Sequence, residues 1–98
     1  MEQSFFKLID GIIRQIEKEV IAYLGDERIT WPGGKETALT GGYDDWDTPY
    51  LVPFHILSIF VEDGSVVVRL KDRDGDEEEV YLHDFQLCDI GSIISCLE

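Results

Sequence analysis

Apolar residues recur at helical spacing over residues 5–24: Phe5, Phe6, Leu8, Ile9, Ile12, Ile13, Ile16, Val20, Ile21, Tyr23 and Leu24. At 100° per residue all but Ile21 fall within an arc of roughly 160°, which predicts an amphipathic helix laying one face on a core. Ser4 stands where an N-cap belongs, and Asp10 and Arg14 are spaced as an i,i+4 pair in the favourable order. Gly25 can take the left-handed conformation that ends a helix.

Further along, the period changes from helical to alternating. Residues 57–70 predict a hairpin around Asp63-Gly64, a dipeptide that accepts the positive φ angles of a type I′ turn. A two-residue loop pairs Val61 with Val66, Ile59 with Val68 and Leu57 with Leu70 on an apolar face. On the other face it pairs Glu62 with Ser65, Phe60 with Val67 and Ser58 with Arg69. A second turn at residues 72–76 leads into 77–83. Pairing Leu70 with Val80 and Val68 with Leu82 extends the apolar face, and the same register sets Lys71 beside Glu79 and Arg73 beside Glu77. Strands are therefore expected at about 55–62, 65–72 and 77–83. Asp89 can cap a short helix in which Ile90, Ile93, Ile94 and Leu97 follow i, i+3, i+4 and i+7 spacing. Between the first helix and the hairpin, residues 28–31 and 36–40 can form edge strands, with Pro32-Gly33-Gly34 and Gly41-Gly42 as turns. The expected fold class is α+β: one domain over residues 1–98, with a long N-terminal and a short C-terminal helix packed on a three- to five-stranded antiparallel meander sheet.

Charge narrows the partners. Eight Lys and Arg stand against 21 Asp and Glu, a formal net charge of −13, and the acids are spread over both halves of the 98 residues. A chain this acidic is repelled by phosphate backbones and anionic lipid heads, so direct nucleic-acid and membrane binding are disfavoured and a basic protein partner is favoured. Two cysteines, Cys88 and Cys96, lie too close in sequence to staple distant segments, and no early apolar run is long enough for a signal core or a membrane span. The expected location is the cytoplasm, and no cofactor is implied.

Chemical motifs are weak. Residues 72–76 resemble the opening of an EF-hand calcium loop, but Glu77 stands at the sharp-turn glycine position, His83 stands at the bidentate glutamate position, and the flanks alternate like strands. A solvated hairpin turn is the expectation. Lys35 follows Gly33-Gly34, yet Ile29 occupies the upstream glycine position of a phosphate loop and Glu36 follows the lysine, so that motif is rejected. His55, His83, Asp84 and Cys88 lack the paired spacing of metal ligands, and no serine sits in a nucleophile elbow. Neither a catalytic nor a metal residue is assigned.

The most unusual stretch is residues 43–50, where aromatic rings alternate with carboxylates beside a proline. Such a loop supplies both ring area and charge, the materials of an interface hot spot or a sugar platform. The competing expectation is that Trp46 and Tyr50 fold back to cover Phe60 and Val67 on the outer sheet face. A non-enzymatic protein-interaction module is expected, an adaptor, an immunity or inhibitor protein, or an accessory subunit, binding through Tyr43, Trp46, Tyr50, Phe60, Val67 and His83. Two alternatives stand beside it. One is a nucleic-acid mimic, which needs its acids on one face. The other is a small-ligand binder or enzyme with a site between residues 32–53 and the sheet, using His55 or His83.

Overall fold

The computed structural model describes residues 2–98, with side chains from residue 9 onward. Helix α1 (Glu2–Leu24) is followed by four strands, β1 (Ile29–Tyr43), β2 (Pro49–Glu62), β3 (Ser65–Lys71) and β4 (Glu77–Tyr81). A single 3-10 turn (Leu82–Asp84) then leads to α2 (Leu87–Ser95). The strands form one antiparallel meander in the order β1-β2-β3-β4, and both helices pack on it, giving the α+β architecture.

One face of the sheet carries Ile56, Ile59, Val66, Val68 and Leu70, all buried, and α1 and α2 close over it with Val20, Leu24, Ile90 and Ile93. Helix α1 begins at Glu2, so Ser4 lies inside it rather than at an N-cap. Gly25 ends it as its residue type allows, at φ +58°, with its N–H donating to the Ile21 carbonyl at 2.9 Å. The apolar stripe meets the core over its second half, where Ile13 and Ile16 border the buried cluster and Ile12 is exposed, and Ile21, outside the stripe, borders the cluster as well. The side chains of Phe5, Phe6 and Leu8 lie outside the described residues.

The β2–β3 hairpin follows the expected register from Glu62↔Ser65 to Ser58↔Arg69, and Asp63 and Gly64 both take positive φ. Beyond Ser58 the ladder shifts. Leu70 pairs with Ile56, not Leu57, because Leu57 is bulged out of the ladder. The cause lies on β1, where Thr30 pairs with Ser58 and Lys35 with Ile56, leaving residues 31–34 opposite Leu57 alone. Pro32 has no N–H to give a ladder, and Gly33 and Gly34 both adopt positive φ, so Pro32-Gly33-Gly34 pucker inside one long strand instead of separating two. Gly41-Gly42 is likewise no turn. The register jumps between Thr40 and Gly42, so Gly41 is the extra residue of a bulge, packed so closely that an added Cβ would meet the Val52 methyls at 2.7 and 2.8 Å.

The β3–β4 register differs from expectation by two residues. Val68 pairs with Val80, Arg69 with Glu79 and Lys71 with Glu77, while Arg73 is exposed in the loop. A shift of two keeps every side chain on its face, so alternation cannot detect it. Loop chemistry sets it: the Asp72 carboxylate accepts from the N–H groups of Asp74 and Asp76, both at 2.9 Å, and Gly75 takes φ +88°. Strand β4 consequently stops at Tyr81, and Leu82 reaches the core from the 3-10 turn.

Helix α2 starts at Leu87, two residues before Asp89, and Asp89 caps nothing. Its carboxylate instead turns to the edge strand: Oδ1 accepts from the Thr40 N–H at 2.9 Å and from the Thr40 hydroxyl at 3.0 Å. At the far end, Lys35 Nζ donates to the Cys96 carbonyl at 3.4 Å. Helix α2 is thus tied along β1 at both ends, an anion at its N-terminal turn and a cation at its C-terminus, each in the sense the helix dipole favours.

Candidate interface at the hairpin tip

Strand β3 pairs with β2 only from His55 onward, so residues 49–54 have β1 as their only hydrogen-bonded strand and the two strands extend beyond the rest of the sheet as an arm, flanked by the 72–76 loop. At its end, residues 44–48 form a loop tied by its own first residue. Asp44 Oδ1 accepts from the N–H groups of Trp46 (2.8 Å) and Thr48 (2.9 Å), and the Asp47 N–H donates to the Asp44 carbonyl. The same bonds at the same spacing hold residues 72–76, where Gly75 occupies the left-handed position that Asp47 fills at φ +57°. Both loops are one solution to turning a strand pair, and their shared signal is an aspartate three residues before a residue that tolerates αL.

Asp44 is therefore spent on structure, while Asp45 and Asp47 remain exposed. Trp46 stands at the apex, 87% exposed, so it does not fold back over the sheet. Tyr43 and Tyr50 are about half exposed, and Leu51, which the sequence pattern did not single out, adds apolar surface on the arm. Tyr43 is braced by the Gln86 side-chain amide, which donates to its hydroxyl, and the Tyr50 ring lies where a Cβ on Gly42 would be. The tip is consequently a fixed display of rings and carboxylates.

The remaining expected contact residues are elsewhere. Phe60 and Val67 are 6% and 5% exposed and offer no contact area, with the Arg28 guanidinium lying 3.7 Å above the Phe60 ring. His83 is not a strand residue facing Val67. It sits in the 3-10 turn, stacks on Tyr81 with ring centroids 5.2 Å apart, and bonds through Nδ1 to Glu17 Oε2 at 3.0 Å. The Glu17 carboxylate also accepts from the Val66 N–H.

This Glu17–His83 pair borders a groove of about 540 Å³ between α1 and the β2–β3 turn. Asp10, Arg14, Glu17 and Lys18 all line it from α1, so two acids and two bases balance there and select no ligand sign. Within residues 32–53, where the alternative small-molecule site was expected, one groove runs along 36–38 and 51–53 and another lies between 50–54 and 72–74, and neither is lined by His55 or His83. His55 lies on β2 against Gly34, and Cys88 lies near Thr40. Among the described residues no three potential metal ligands converge. Within residues 72–76, Asp72 is occupied by backbone N–H groups in a hairpin turn. No described helix is long and apolar enough to cross a membrane.

The chain matches no protein-family model, no curated protein and no solved structure.

Proposed function

We propose that this chain is a non-enzymatic protein-interaction module that grips a basic protein surface with the tip of its β1–β2 arm. The observation that carries this is Trp46: a large ring held out on a loop whose conformation is fixed by Asp44. Burying such a ring removes ~150–250 Å² from water, about 4–6 kcal/mol before the costs of association. Folding leaves that gain unused, whereas a partner can collect it. Asp45 and Asp47 flank the ring, and with a net charge of −13 they favour a cationic counterpart over a second acidic surface.

A nucleic-acid mimic fits less well. In the antiparallel order the 44–48 and 72–76 loops lie at one end of the sheet, Glu62 and Asp63 at the other, and Glu17 and Glu19 on α1, so the acids form no single track.

Affinity capture from native extract tests the proposal with three forms: the native chain, Trp46→Ala, and Asp45→Lys/Asp47→Lys. One protein should be retained by the native chain and lost from both variants while their melting temperatures hold. Equal retention by all three forms refutes the assignment to the tip.

A further inference from the structure

A second surface lies between the helices, bordering α2 at the end opposite Gln86 and Tyr43. Ile16 of α1, Ile94 of α2 and Leu97 just past its end line an apolar groove of about 230 Å³, with Val20 buried at its floor and Glu19 and Glu98 at its edges. Ile12, one turn before Ile16, is exposed and continues the apolar line, and Tyr23, also exposed, closes the groove with its hydroxyl donating to the Leu97 carbonyl at 3.4 Å. We propose that this groove receives a basic amphipathic helix of a partner protein, apolar side down, with its lysines or arginines against Glu19 and Glu98.

Three observations choose that occupant. The floor is aliphatic and bounded by two helices, the geometry into which a third helix lays residues at i, i+3, i+4 and i+7. Both ionisable groups edging it other than Tyr23 are acidic, so positive charge beside the apolar stripe is matched and negative charge is not. A second copy of this chain would set Glu19 and Glu98 against their own kind and bring two bodies of charge −13 together, which disfavours self-association through this face. The same field draws a cationic helix in. This site is independent of the arm tip, and its proof or failure leaves the tip untouched.

The test uses a synthetic 14-residue peptide of leucine and lysine, its leucines at i, i+3, i+4 and i+7, titrated into the 15N-labelled full chain. The readouts are amide shifts and calorimetry. Shifts should centre on Ile16, Val20, Ile94 and Leu97. Glu19→Lys/Glu98→Lys should weaken binding at least about fivefold, as the loss and reversal of two exposed charge contacts implies. Glu78→Lys/Glu79→Lys makes the same charge change on exposed β4 residues and should weaken it less than about twofold. A scrambled peptide of equal composition should bind more weakly than the striped one, and Trp46→Ala should change nothing. Equal weakening by both double variants would reduce the effect to bulk charge and overturn the proposal. So would shifts centred on residues 43–50, indifference to scrambling, or no binding at millimolar peptide.

Discussion

Replacing Asp89 with alanine should be the most damaging change to a single polar side chain away from the apolar core. Asp89 is 5% exposed, and its Oδ1 takes both the main-chain N–H and the hydroxyl of Thr40. Hydrogen bonds to a charged acceptor contribute ~1.5–3 kcal/mol each, and an amide N–H left unpaired adds ~1–3 kcal/mol of penalty. Against these stands the relief of no longer burying a carboxylate, which recovers several kcal/mol. The balance is a loss of about 2–4 kcal/mol, or roughly 8–32 °C in Tm for a domain of this size at ~4–8 °C per kcal/mol. Asp89→Asn keeps an acceptor oxygen in place without the charge and should cost only ~1 kcal/mol. Urea unfolding followed by circular dichroism gives both values, and amide exchange should show Thr40 losing protection in the alanine variant. A loss below about 0.5 kcal/mol for Asp89→Ala, with Thr40 still protected, would mean that α2 is held by its apolar face alone and that the tie to β1 does not contribute.

Other changes have equally definite outcomes. Asp47→Gly should raise stability by about 0.5–1 kcal/mol, because Asp47 holds a left-handed φ that Gly75 occupies in the matching loop; a melting curve at or below the native one contradicts this. Trp46→Ala should leave the unfolding midpoint within ~0.5 kcal/mol, since the ring is exposed and covers nothing. Gly41→Ala should destabilise by about 1–3 kcal/mol through collision with the Val52 methyls, and much of that cost should vanish in a Val52→Ala background. Additive effects in that pair would show that the strands part easily at the bulge. Lys35→Met should cost ~0.5–1 kcal/mol by removing the cation from the C-terminus of α2, measurable as lost protection at Cys96 and Leu97.

The parts of the fold legible in the sequence are those where local chemistry and burial give one answer. The Asp63-Gly64 turn admits only one tight loop, and the valines of β3 then find their partners residue by residue. Alternation fixes which face a side chain takes, but it repeats every two residues, so the β3–β4 pairing read from apolar matches came out two places off. The Asp72 side chain held the missing information: its reach to two N–H groups sets the loop at residues 72–76 and therefore the pairing Lys71↔Glu77. Pro32-Gly33-Gly34 looked like a strand break because its dihedrals suit a turn, yet pairing with β2 resumes at Lys35 and the chain stays in one strand. Asp89 matched the residue preference of an N-cap, and only the position of β1 beside α2 reveals its other use. At the tip, the ring-rich sequence was visible, but whether Trp46 covers the sheet is a three-dimensional matter: Phe60 and Val67 are already hidden, with Arg28 over Phe60, and the tryptophan is left over.

The two ends of α2 also bear on how the edge of the sheet is covered. A sheet's outermost strand offers a line of unmet donors and acceptors that any neighbouring molecule can adopt as a template. Strand β4 is short and carries three consecutive glutamates, which defend it by repulsion. Strand β1 is three times as long, and α2 lies along it with Asp89 taking one of its outward donors, the Thr40 N–H. Shortened forms lacking residues 87–98 would lose the core contributed by Ile90 and Ile93 together with this cover of β1, so loosened sheets with a bare outer strand are the expected consequence, observable as dye-binding aggregates that the intact chain does not form.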